Sequence, residues 1–141
     1  QTQLARIYRG TPVEKELQAL LSRGGVIGGT SAGAAIQSRV MLVRDDIWEG
    51  FDLAPKIIVD QHFTERSRQP RLWRAVSANH DCIGVGVDED TCAILRGDEL
   101  SVMGDSTVSL FIHPHGGKQQ ERALKDGERI NLDLLRKRLA E

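Results

Sequence analysis

The chain has 141 residues, 40% of them apolar and 28% charged, with a formal net charge of -1. That mix suits one globular domain with its own core and excludes a disordered or low-complexity chain. The near-neutral charge argues against a nucleic-acid surface built on bulk positive charge, and no apolar run reaches the roughly 20 residues that span a bilayer.

The chain opens on Gln1 rather than Met. It is therefore expected to be a processed product or a piece of a longer protein. A leader would lie upstream, so no compartment follows, with a cytoplasmic setting as the working expectation. Cys82 and Cys92 lack metal-type spacing and read as small, reduced core residues.

Thr11-Pro12-Val13-Glu14 is a capping box with proline at the first helical position, and Gly24-Gly25 supplies the stop. Val13, Leu17, Leu20 and Leu21 recur at helical spacing between them, which predicts a helix from Thr11 to Arg23. "GGVIGG" is short, apolar and glycine-bounded, as a buried strand is. A helix opening near Ser31 carries Ala34, Ala35 and Ile36. "KIIVDQHF" has strand character up to Val59, and Arg71 to Asn79 reads as a helix. "CIGVGVDEDTCAIL" gives two strands around an acidic turn, followed by strand candidates at Leu100–Val102 and Thr107–Ile112. Asn131 caps a last helix with Leu132, Leu135 and Leu139 on its inner face. Helices interleaved with strands predict a layered α/β sheet with flanking helices, in a single domain over residues 1–141.

Gly29-Thr30-Ser31-Ala32-Gly33 sits where that pattern turns from strand to helix. A nucleophile elbow needs such a turn, because the sharp bend exposes the hydroxyl and small residues relieve the crowding. The next amide, that of Ala32, would then face the oxyanion. A glycine- and serine-rich turn with no chemistry has the same composition, so the motif needs partners. A nucleophilic serine requires a base, and the base an orienting acceptor.

Of four histidines, His62 ends a strand run among polar residues, as a residue facing a cleft does. His80 follows a helix end and reads as a surface cap. His113-Pro114-His115 could offer a metal pair, but no cysteines or carboxylates stand nearby in sequence. Asp88, Glu89 and Asp90 form a turn between two buried-looking strands, solvated unless one acid points into a site.

Three blocks in this order, "GGTSAGAA", "DQHFTERSR…RLWRAV" and "GVGVDEDTCAIL", resemble the cyanophycinase-like enzymes of the S51 serine peptidase family. The likeness runs from about Gln1 to Ile112. It implies a fold related to class I glutamine amidotransferases and a triad of Ser31, His62 and Glu89. The order serine, histidine, acid differs from that of α/β-hydrolases. It implies hydrolysis of β-aspartyl-arginine bonds of cyanophycin through an acyl-enzyme, with no metal or organic cofactor. A relative acting on other aspartyl peptides, or a non-catalytic binding member of the fold, is the alternative.

The resemblance also places Asp60, Gln61, Arg66, Arg68 and Arg71 in the substrate site, where guanidinium forks would grip carboxylates. Asp60 would take a substrate guanidinium. Gln1 falls where the family has a glycine-glycine-x-glutamine turn, which makes it a substrate-site candidate too. The family carries further residues before this region, including the first strands of the sheet. The chain is thus expected to be the C-terminal part of a larger catalytic domain, with the second oxyanion amide ahead of Gln1. The expected partners are a peptide substrate and that N-terminal segment. A homodimer is compatible with the reading; nucleic acid and membrane are not expected.

Overall fold

The computed structural model describes residues 1–140, with side-chain surroundings for 1–137. The chain divides into two compact units, Gln1–Val59 and Asp60–Glu141.

In the first unit, α1 (Thr2–Tyr8) precedes α2 (Pro12–Ser22). The predicted helix is present, but its box closes differently. Thr11 spends its hydroxyl as a donor to the Tyr8 carbonyl, and Glu14 accepts from the amide of Gly10 at 2.6 Å rather than from Thr11. No residue of α2 is buried, so the apolar stripe of Val13, Leu17 and Leu20 stays partly open.

"GGVIGG" forms no strand. Residues 24–30 are irregular, and Val26 is 89% exposed. A strand needs a hydrogen-bonded neighbour, and none lies beside this segment among the described residues. After it come the single turn α3 (Ala32–Ala35) and a hairpin of β1 (Val40–Val43) and β2 (Asp46–Glu49). The pair is antiparallel, with Met41 opposite Trp48. Ala5, Ala35, Ile36, Met41 and Phe51 make this unit's core. Ser38 is fully buried and its hydroxyl accepts from the Val59 amide at 2.9 Å.

β3 (Ile57–Gln61) runs from the first unit into the second and continues two residues beyond Val59. With β4 (Ile83–Val87), β7 (Val108–Ile112) and β8 (Gln120–Leu124) it forms a four-stranded sheet in the order β3-β4-β7-β8. β4 and β7 are buried nearly throughout, as expected of "IGVGV" and "VSLFI". They pair antiparallel with Val85 opposite Leu110. The helix α4 (Gln69–Ala78) buries Leu72, Ala75 and Val76, and packs on β4 and β7. Its end is closed by Asn79, whose side-chain amide donates to the Ala75 carbonyl at 2.8 Å.

β5 (Thr91–Arg96), β6 (Glu99–Gly104) and β9 (Arg129–Asn131) form a separate antiparallel sheet in the order β5-β6-β9. The final helix α5 (Leu132–Ala140) starts as predicted: Asn131 Oδ1 accepts from the Leu134 amide, and Leu132 is fully buried. The side chain of Leu139 lies outside the described residues. Both cysteines are in the reduced, thiol form. Cys82 is buried, but Cys92 is exposed on β5, contrary to the expected core position. The architecture is the expected mixed α/β one, layered sheets with flanking helices. No helix among the described residues is long and apolar enough to cross a membrane.

Candidate active site

Ser31 stands at the N-terminal boundary of α3, exposed, with φ 49° and ψ -112°. A residue with a β-carbon seldom holds that conformation, which costs on the order of 1–3 kcal/mol and marks a strained turn. Gly29 permits it. A β-carbon there would overlap the carbonyl of Gly33, a backbone atom that cannot swing aside. Gly33 itself has open space where a β-carbon would stand. Among the described residues, crowding therefore demands only the first glycine of the pair. Past the serine, the amides of Ala34 and Ala35 donate to the Ser31 carbonyl and that of Ile36 to Ala32. Ala32 holds the first helical position, where an amide has no carbonyl of its own helix to bond.

His62 follows β3 and also adopts a left-handed conformation, φ 49°. Its Nδ1 lies 2.8 Å from Oε1 of Glu89. The imidazole is three-quarters covered, while about half of the Glu89 side chain faces solvent. The acid thus engages Nδ1 of the ring, a geometry that an orienting acceptor for a base would also have. The next residue anchors the ring's backbone. Phe63 is buried edge-on to Phe111, ring centroids 5.3 Å apart, and its ring occupies the space that a β-carbon at Gly86 would need. Ser31 belongs to the first unit; His62 and Glu89 belong to the second.

Asp60 and the arginines form a second cluster. Asp60 has no exposed surface. Arg71 grips it with two groups, Nε to Oδ2 at 2.6 Å and Nη2 to Oδ1, and Arg68 Nη1 stands 3.3 Å from Oδ1. The carboxylate assigned to a substrate guanidinium is thus filled by guanidinium groups of its own chain. Both of its oxygens are engaged within the chain, and neither is exposed. Arg68 also donates to the Gln61 carbonyl at 2.5 Å. Burial, then the neighbouring Arg71, holds the Arg68 pKa below the usual guanidinium value, with Asp60 opposing both. Gln61 is buried, and its Oε1 accepts no hydrogen bond among the described residues. Arg66 is exposed. Gln1 turns its side-chain amide to the Leu42 carbonyl at 2.8 Å, a tie within the first unit.

The remaining histidines cluster elsewhere. His80 Nδ1 lies 2.7 Å from the His113 carbonyl, and its ring stands edge-on to those of His113 and His115. His80 is therefore a tie between the end of α4 and the loop after β7 rather than a surface cap. No group of three or more metal-ligating side chains occurs among the described residues.

Asp88 is the residue that the sequence left undecided. It is 5% exposed and accepts from the Thr64 amide, the Ser106 hydroxyl and the Thr107 hydroxyl at 3.0, 3.0 and 2.6 Å. Burial alone would raise its pKa, but those donors together hold it below the ordinary carboxylate value. The only sequence signal was its place as the first of three acids directly after a buried strand.

The comparisons with known proteins follow the same line. Cyanophycinase from Geminocystis herdmanii is 36% identical over 123 residues, 78% of this chain and 45% of that protein. The cyanophycinases of Synechococcus elongatus and Trichormus variabilis are 37% and 38% identical, over 38% and 41% of their lengths. The chain spans less than half the length of these curated relatives. The sequence model of peptidase family S51 matches residues 1–103, a stretch that holds the Ser31 turn, the His62–Glu89 pair and the arginine cluster, and the chain belongs to that family.

Proposed function

We propose that this chain is the C-terminal part of a cyanophycinase-like serine peptidase that hydrolyses cyanophycin to β-aspartyl-arginine dipeptides; because that product keeps the β-aspartyl-arginine bond, the bond cut is the backbone aspartyl one. The observation that carries the reading is the 2.8 Å pairing of His62 Nδ1 with Glu89, together with the strained, exposed turn at Ser31. Ser31, His62 and Glu89 act as nucleophile, base and orienting acid. His62 Nε2 takes the hydroxyl proton as Ser31 Oγ attacks the backbone carbonyl of an aspartyl residue. The Ala32 amide and a second donor stabilise the tetrahedral oxyanion. The imidazolium passes its proton to the departing amine, and water then releases the acyl group with His62 again as base.

Arg66, Arg68 and Arg71 suit the carboxylates of an aspartyl substrate, since planar guanidinium groups bind carboxylates through paired bonds. Asp60 holds two of those arginines in place. Gln61 offers a buried acceptor with no hydrogen bond among the described residues, and Gln1 remains a substrate-site candidate. The open apolar stripe of α2 and the exposed Val26 are surfaces that the polypeptide accounting for the rest of the relatives' length would cover.

The deciding assay presents cyanophycin beside α- and β-aspartyl dipeptides to the intact protein and to Ser31→Ala. Release of β-aspartyl-arginine by the wild type alone is expected. Turnover of other aspartyl peptides without cyanophycin cleavage would move the assignment to a different S51 peptidase. No turnover of any of them would leave a binding member of the fold.

A further inference from the structure

We propose that Asp88 is the positioning residue that sets the His62–Glu89 pair, an inference that rests on the reading of those two residues as base and orienting acid. His62 lies in the loop after β3 and Glu89 in the loop after β4. Three bonds stitch these loops together in register. The Phe63 amide donates to the Val87 carbonyl at 3.2 Å, the Thr64 amide to Asp88 Oδ1 at 3.0 Å, and the Glu89 amide to Glu65 Oε1 at 3.0 Å.

The middle bond differs from its neighbours in being made by a buried carboxylate. Its other oxygen, Oδ2, accepts from Ser106 Oγ and Thr107 Oγ1. The Asp88 amide in turn donates to the Thr107 carbonyl at 3.2 Å. Asp88 thereby ties the base loop, the acid loop and the turn before β7 at one point. A buried charge is costly unless fully satisfied, so three donors gathered on one carboxylate make a rigid junction rather than an incidental contact.

The loops need such a junction. His62 and Asp90 both hold positive φ, 49° and 52°, which non-glycine residues keep only where their surroundings over-determine them. Glu89, between Asp88 and Asp90, is half exposed and cannot fix itself by packing. The carboxylate one residue before it supplies the restraint. Loss of that restraint lets the two loops drift, and a shift of about 1 Å in a catalytic group can cost about 100-fold in rate.

The test uses the intact protein and the variants Asp88→Ala, Asp88→Asn, the double variant Ser106→Ala with Thr107→Val, and His62→Ala. Three quantities are read: thermal unfolding, the separate kcat and KM for cyanophycin, and the proton NMR signal of His62 Nδ1–H bonded to Glu89. That signal is assigned by its absence in His62→Ala. Asp88→Ala is expected to lose the signal and about 100-fold in kcat, with KM nearly unchanged, well below its melting temperature. Asp88→Asn keeps an acceptor for the Thr64 amide and is expected to recover at least about tenfold of that loss. Should Asp88→Ala fail to fold, the double variant, which frees Oδ2, is expected to lower kcat about tenfold and weaken the signal. A folded Asp88→Ala, or in its place the double variant, with wild-type kcat and an intact Nδ1–H signal overturns the proposal, whatever its melting temperature. Activity retained by His62→Ala sinks the base assignment instead, and the NMR signal still decides whether Asp88 positions the pair.

Discussion

Arg71 holds Asp60 by two parallel groups, Nε on Oδ2 and Nη2 on Oδ1, at a carboxylate with no exposed surface. Removing one partner of a buried pair strands the other charge, at a cost of about 3–5 kcal/mol. Asp60→Ala is therefore expected to destabilise the protein by about that amount and to release Arg68 and Arg71 from their present aim. Urea unfolding reads the first effect through the midpoint, and a rise in KM for acidic peptides reads the second. An unchanged midpoint would show that the pair contributes nothing net.

Ser31→Ala is expected to lower kcat by at least about a thousandfold while leaving the melting temperature within a degree or two, since an exposed hydroxyl contributes little to packing. Glu89→Gln keeps the shape of the acid but removes its charge, and is expected to lower kcat by about 10²–10⁴-fold. Steady-state kinetics on cyanophycin check both. Wild-type turnover by either variant would remove that residue from the machinery.

The two glycines around Ser31 are expected to differ. In Gly29→Ala the new methyl meets the Gly33 carbonyl, so the turn must open and activity must fall sharply. Gly33→Ala adds a methyl to open space and gains helix propensity, and should keep most of the activity. Kinetics and circular dichroism on the two variants test the contrast. Equal loss in both would show that Gly33 also faces a surface supplied from outside this chain.

Asp88 has a pKa held below the ordinary carboxylate value, so it binds fewer protons when folded than when unfolded near pH 4. Its stabilising contribution is therefore fully present above the unfolded value of about 3.9 and is lost as pH falls through the lower folded value. The stability gap between wild type and Asp88→Asn should be constant from pH 7 to about pH 5 and narrow below pH 4. Denaturant midpoints across that range provide the measurement. A gap of constant size down to pH 2.5 would contradict it.

Much of this protein was legible in order along the chain. Proline at a helix start with paired glycines at its end bounded α2, and a continuous apolar run marked β4, because capping and burial leave local traces. The serine between glycines, the histidine at a strand end and the acidic turn could each be named from their neighbours. The family resemblance then supplied the expected order of roles, serine, histidine and acid. The hairpin of β1 and β2 leaves no clear trace, because the short strand Asp46–Glu49 is charged at both ends and lacks alternation. "GGVIGG" misleads for the opposite reason. Its composition suits a strand, but a strand exists only where another backbone bonds to it, and composition carries no information about that neighbour.

Local sequence thus determined which residues could do chemistry: a serine in a small-residue turn, an imidazole, a run of three acids and a run of guanidinium groups. Only the tertiary structure decided what each polar group faces. It sent Asp60 inward to two arginines, buried the first acid of "DED" as a junction, and left the second beside His62. The reason is physical. Hydrogen-bond partners of a buried carboxylate come from segments many residues away, and three adjacent acids are alike in sequence until the fold gives each a different neighbour.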